Sequence, residues 1–371
     1  MGFAILIIVF YHFCNRGGTT IIDKIMRGVF SQGYVGVDIF MVVSGLGLTY
    51  SMLKNENLRE YYIKRWVRIF PFFTFITLVE CWIIRGESFG LALLRSTTLG
   101  YWFGFPYIDW YIPALVGLYV VFPLIFHWIV KPRRYWLSLG IGIVCFIAGI
   151  LITEYNWMDW KHMAFIYRIP DFLMGCMVAV AIKNGYDERV AIRYVIISAI
   201  IGVGVFLSRI GGDHNLWFTN LCLTPTYLCV LCWIFKKLSS VNWGKHLVAP
   251  IAFVGLFSLE LYRISSSFER LLTDDVCTEY HYLFVLLYAA ASIALSYIAY
   301  LLFKCINAWL LDKLLNFKIP TRKGQQYYVR YIIAFILTKV WCYMIPCANA
   351  RRISNCMSSV WMTIAMKCSQ I

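Results

Sequence analysis

The chain has 371 residues, of which 61% are hydrophobic and only 14% charged, and it carries a formal net charge of +15. So apolar a composition excludes an ordinary water-soluble domain. The basic excess does not point to nucleic acid, because the cations are scattered over short loops rather than gathered into one domain.

Apolar runs of membrane length recur from one end to the other, and those at 248–268 and 281–303 are apolar around nearly the whole helix. In chain order the predicted spans are 1–14, 34–53, 66–84, 110–130, 136–152, 163–182, 195–207, 217–235, 248–268 and 281–303. The stretch 91–103 is expected to be re-entrant or interfacial beside the fourth of them. The fold class is therefore all-α: a polytopic integral membrane protein of about ten transmembrane helices occupying residues 1–303. Residues 304–371 read as a basic linker and a tail with one extra hydrophobic segment, 331–346, to which no role is assigned. An eleventh span there would place Arg351 and Arg352 outside, so the tail is expected to lie along the membrane or to be an artefact of the reading frame. The start, 1–12, has neither a basic n-region nor a cleavage site; it reads as a helix cut short rather than a signal peptide.

With a cytoplasmic amino terminus, the inside loops collect Lys54, Arg59, Lys64, Arg65, Lys131, Arg133, Arg134, Lys183, Arg189, Arg193, Lys236, Lys237 and Lys245, while 273–279 outside is acidic. The positive-inside rule then fixes that orientation. Most of the thirteen cysteines fall inside apolar runs, as Cys145, Cys176, Cys222 and Cys229 do, where a thiol is usually a small buried hydrophobe. No disulfide framework is evident, although Cys14 and Cys277 share the predicted outer face. Cys229 and Cys232 form a CxxC with no partner set, so no metal site is expected.

Ionisable groups inside apolar spans are costly and are functional candidates by default. His12 closes the first span; an imidazole there either bonds a neighbouring helix or takes a proton from a hydroxyl that attacks an activated carbonyl. Asp38 enters the second span and is followed by Ser44-Gly45, residues that serve close helix approach, a helix cap or a pocket. Lys64, Arg65 and Arg68 form a basic cluster at the cytoplasmic mouth of the third span, suited to lipid headgroups or to the phosphates of a nucleotide-like donor. Arg168 and Asp171 lie at the outer end of the sixth span, where they form either an ion pair with each other or a sugar contact. Glu260 and Arg263 in the ninth pose the same choice.

Taken in order, these segments resemble the membrane-bound acyltransferase-3 family, which includes O-antigen, exopolysaccharide and Nod-factor acetylases. The elements that carry the resemblance are Tyr11-His12, the 36–45 stretch Gly-Val-Asp-Ile-Phe…Ser-Gly, and Arg65-x-x-Arg68-Ile-x-Pro71. They continue with Trp110-Tyr111-Ile112-Pro113-Ala114-Leu115 leading to Tyr119 and Pro123, and with Arg168-Ile169-Pro170-Asp171-Phe172 leading to Gly175. The resemblance implies transfer of an acyl group, usually acetyl, from cytoplasmic acetyl-coenzyme A, a co-substrate rather than a tightly bound cofactor, to a hydroxyl of a cell-surface or lipid-linked glycan at the inner membrane. In that reading His12 is the base or acyl relay and Lys64, Arg65 and Arg68 hold coenzyme A phosphates. Asp38, Ser44, Arg168, Asp171 and Glu260 shape the acceptor pocket, and no metal is needed.

Two positions depart from the family pattern. An arginine is expected eleven residues before His12, where Met1 stands, which implies an upstream start or a truncated gene. The family's Ser-x-x-x-Tyr-Leu-x-His corresponds to 258–265 here, with Arg263 for the leucine and Ser265 for the histidine, leaving His12 as the histidine best placed for chemistry. Two other readings stay open at this point: a transporter or flippase-like carrier, whose pathway would use Arg168, Glu260 and Arg263, and an inactive truncated family member.

Overall fold

The structure is a computed structural model and describes residues 1–14, 20–155, 160–185, 188–210, 212–271 and 281–316. Fifteen α-helices follow one another: α1 (Gly2–Cys14), α2 (Ile21–Phe30), α3 (Val35–Lys54), α4 (Leu58–Leu78), α5 (Phe89–Ser96), α6 (Leu99–Phe103), α7 (Tyr111–Ile125), α8 (Tyr135–Glu154), α9 (Trp160–Ile166), α10 (Ile169–Lys183), α11 (Glu188–Ser208), α12 (Asn215–Ser240), α13 (Asn242–Gly255), α14 (Ser258–Leu271) and α15 (His281–Asn316). Helices α4 and α7 run on into π-helical turns at Val79–Ile84 and Phe126–Val130. Among the described residues there is no strand. A chain this apolar must satisfy its backbone internally, and helices do so segment by segment.

Seven helices are long and apolar enough to cross a membrane, or eight if α13 and α14 count as one bent span. Gly2–Cys14 and Ile192–Ser208 are apolar but shorter. The thirteen residues of α1 rise only about 20 Å at roughly 1.5 Å per residue, short of a hydrocarbon core of about 30 Å.

Three elements differ from expectation. The ninth span is two helices meeting at 73°, broken where Gly255 and Ser258 flank Leu256-Phe257; small residues at a break let the chain turn while its freed backbone groups find other partners. The tenth continues past 303 to Asn316, because no glycine or proline interrupts it there. Residues between the first two spans, expected as loop, form α2. A capping box between Thr20 and Asp23 starts it, and Phe30 stacks on Phe10 of α1 at 4.7 Å. Ile21, Ile25 and Val29 make an exposed apolar stripe along α2 at helical spacing, while Met26 and Phe30 face the core. The segment 91–103, expected to be interfacial or re-entrant, is the two short helices α5 and α6.

The core gathers α1, α3, α7, α10 and α14 around Ile5, Val9, Met41, Ile112, Phe122, Phe172 and Leu261. Helices α3 and α10 pack most closely, backbone against backbone. A Cβ on Gly45 would strike the carbonyl of Phe172, and one on Gly175 that of Val42. The small residue beside Ser44 thus serves close helix approach. By contrast α8, α11 and α15 expose Ile143, Val144, Ile200, Val203 and Leu287 along their lengths, as helices facing lipid do. Cys229 and Cys232, expected to be buried, are exposed with them on α12, while Cys14 and Cys176 are buried and Cys145 and Cys222 partly so. Cys277 and the segment 331–346 lie outside the described residues.

Candidate active site

His12 is in the last turn of α1. On one side Nδ1 is in direct contact with a carboxylate oxygen of Glu269, on the outer turn of α14, each side chain 24% exposed. A carboxylate against Nδ1 makes that nitrogen the protonated one and leaves Nε2 with its lone pair free. On the other side the Tyr11 ring meets His12 edge-on at 5.6 Å and Tyr34 at 5.7 Å. One residue further on, the carbonyl of Phe13 accepts a hydrogen bond from Nε2 of the buried His281 at 2.8 Å, which ties off the end of α1. His281, the first residue of α15, therefore belongs to the support of the site.

Beneath His12 lies a buried ion pair. Arg168 Nε donates to Asp38 Oδ1 at 2.6 Å between α10 and α3, both side chains at most 4% exposed. The guanidinium also donates to the Ala164 carbonyl at 3.1 Å and sits over the rings of Tyr167 and Trp110. Arg168 thus pairs across helices with Asp38, not with Asp171 three residues on. Asp171 is buried with its Oδ2 unpartnered and the Thr224 hydroxyl beside its carboxyl. Two buried carboxylates flanking one arginine leave a local negative excess unless one of them holds a proton.

At the opposite end of the bundle the basic cluster divides into three. Lys64 is exposed and pairs with Glu60 one turn away. Arg68 is neutralised: its fork closes on Glu260 at 2.6 and 3.0 Å, with Nη2 also reaching the Leu256 carbonyl freed by the break before α14. Arg65 has no carboxylate partner among the described residues. Its guanidinium lies about 6 Å from the rings of Tyr61 and Tyr119 in an open cleft with Trp66 and Val116, and Tyr119 in turn contacts the Ser44 hydroxyl. Ser44 is nine residues into α3, roughly 14 Å along its axis at about 1.5 Å per residue.

Glu260 and Arg263 do not pair with each other. Arg263, fully buried, donates to Glu80 at 2.9 Å, and Glu80 also receives Arg270 at 2.9 and 3.0 Å, Arg85 at 2.9 Å and the Ser267 hydroxyl at 2.8 Å. Glu80 sits in the π-helical turn after α4, so this centre locks α4 to the part of α14 that carries Glu269. Close by, Asp109 accepts from the Tyr262 hydroxyl at 2.8 Å and from the Tyr111 backbone N–H at 3.0 Å. Sequence reasoning singled out none of Glu80, Asp109, Glu269 or Arg270. Glu80 was visible as a carboxylate inside the third predicted span; Glu269 and Arg270 stood as a charged doublet one residue beyond the ninth. Among the described residues no cluster of three His, Cys, Asp or Glu side chains is placed to hold a metal ion.

A base with a carboxylate behind it, separated along the bundle from an uncompensated arginine in a cleft, can serve acyl transfer between two faces. Comparison with known proteins points the same way. A protein of Acidianus two-tailed virus, named "Putative acetyltransferase ORF330", is 25% identical over 288 residues, covering 73% of this chain and 82% of the relative. No solved structure matches the chain. A family profile described as an acyltransferase domain matches residues 2–301, and the chain belongs to that acyltransferase-3 family.

Proposed function

We propose that the chain is an O-acyltransferase of the inner (plasma) membrane, moving an acyl group, usually acetyl, from cytoplasmic acetyl-coenzyme A to a hydroxyl of a glycan on the outer side. The His12–Glu269 pair carries the reading. Nε2 of His12 takes the proton of the acceptor hydroxyl as its oxygen adds to the thioester carbonyl. The new C–O ester bond forms, the C–S bond breaks, and the proton passes from the imidazolium to the departing thiolate. Glu269 steadies the imidazolium in between.

Arg65 is the phosphate ligand that fits best, because Lys64 and Arg68 are already paired and Arg65 has no carboxylate partner among the described residues. The basic loops support a cytoplasmic amino terminus, which puts His12 toward the outer side and Arg65 toward the cytoplasm. The expected ten crossings would need the two shorter apolar helices in addition to the seven long ones and the bent pair. The charges that motivated a transport pathway, Arg168, Glu260 and Arg263, each have an opposite charge as partner inside the bundle.

The test is transfer from labelled acetyl-coenzyme A to membrane glycans by the full chain reconstituted in lipid. Label that requires His12 and Arg65 supports the reading, and movement of substrate without coenzyme A sinks it.

A further inference from the structure

Helix α2 takes no part in the proposed reaction, and its ten residues divide into three arcs around the helix axis at about 100° per residue. Met26 and Phe30 face the core, with Asp23 buried beside them under its cap from Thr20. Next to these on the wheel, Ile21, Ile22, Ile25 and Val29 form one apolar face that is 47–75% exposed. Lys24, exposed, and Arg27 occupy the remaining arc. A helix with one flank on a bundle, a second apolar flank in the open and its charges on the third has the pattern of a helix lying at a lipid–water boundary.

The neighbours of α2 indicate what covers the open face. Phe30 stacks on Phe10 of α1 at 4.7 Å, and Gly33, in the turn after α2, lies so close to α1 that a Cβ there would strike the Ile7 carbonyl and Tyr11. The last turn of α1 meets the start of α15 in turn, where the rings of Phe13 and Tyr288 are 4.6 Å apart, and α2 itself touches α15. Helix α2 therefore ends at the level where α15 exposes Leu283, Leu286 and Leu287, part of the belt by which that long apolar helix faces lipid. The open face of α2 continues that belt. A protein partner fits it poorly: four aliphatic side chains, each at most 75% exposed, offer far less than the ~800 Å² per partner that a stable protein interface buries. Acyl chains, by contrast, cover an apolar face of any size.

We propose that α2 is an interfacial helix docked on the bilayer leaflet at the His12 end of the bundle, with Ile21, Ile22, Ile25 and Val29 among acyl chains and Lys24 reaching the headgroups. Because Phe30 holds Phe10, two residues before His12, the depth at which α2 sits is also the depth of the last turn of α1. This lipid contact is independent of the reaction at His12.

The test places the photocrosslinker p-benzoylphenylalanine, one position at a time, at Ile25, Val29, Lys24 and, as the reference for lipid-facing surface, Leu287. Each full chain is reconstituted in nanodiscs of phosphatidylethanolamine with radiolabelled acyl chains and irradiated; the lipid bound to the chain is counted and the products are sized. Docking predicts a lipid yield at Ile25 and Val29 within about twofold of that at Leu287, and several-fold less at Lys24. A yield at Ile25 no higher than at Lys24 overturns the proposal. So does a crosslink from Ile25 to a second copy of the chain or to another segment of the same chain, because protein rather than lipid then covers the face. Thermal transitions identify the folded variants. Where the probe at Ile25 prevents folding, Ile21, the most exposed of the four, reports on the same face.

Discussion

Replacing Glu269 by glutamine keeps the shape of the side chain and removes only its charge, so it isolates what the carboxylate does for His12. In the proposed transfer the imidazole would become an imidazolium against that carboxylate. Opposite unit charges about 4 Å apart attract by about 4 kcal/mol at an effective dielectric constant near 20. Both side chains are 24% exposed, and solvent screening reduces this to about 2–3 kcal/mol. The expected loss in kcat for Glu269→Gln is therefore roughly 30- to 150-fold. His12→Ala removes the base itself and should lower kcat by about 100- to 10,000-fold. The decisive measurement is the double variant, assayed by single-turnover transfer of labelled acetyl. If Glu269 acts through His12, the double variant is no worse than His12→Ala alone, because the carboxylate has nothing left to steady. Losses that multiply, or an undiminished kcat in Glu269→Gln, would refute the pairing as a catalytic unit.

Other predictions follow from buried charge and close packing. Glu80→Gln strands Arg263, Arg270 and Arg85 around a neutral amide and should destabilise the fold by about 3–5 kcal/mol, read as an early thermal transition in detergent. Arg263→Met should cost less, since Arg270 and Arg85 still cover the carboxylate. Arg65→Ala should raise KM for acetyl-coenzyme A about tenfold or more, while Lys64→Ala, exposed and already paired, changes it little; equal effects would argue against Arg65 as the phosphate ligand. Gly175→Ala forces α10 off the Val42 carbonyl and should cost about 1–3 kcal/mol, whereas Gly47→Ala meets nothing within 4 Å and should stabilise α3 by about 0.5–1 kcal/mol. Thermal unfolding of the pair checks the contrast.

The apolar runs located nearly every long helix, because in lipid a segment's own composition decides whether it can span. They missed α2, whose apolar residues recur only on one face of ten residues, and the break between α13 and α14, because Gly255 and Ser258 are as compatible with a straight helix as with a bent one. For the site, sequence alone could single out His12, Asp38, Arg65, Arg68, Arg168 and Glu260 as ionisable groups placed where lipid makes them costly. Which of these stay uncompensated was a question of partners: Arg68 is taken by Glu260 and Arg168 by Asp38, while Arg65 is left without a carboxylate among the described residues.

The sequence by itself determined that this is a helical membrane protein and singled out His12 as a candidate, since hydropathy and the rarity of intramembrane charge are local properties. Only the tertiary structure decided that Glu269 stands behind His12. The two residues are separated by most of the chain, and a side-chain pair at that separation exists only once helix packing has brought α1 and α14 together.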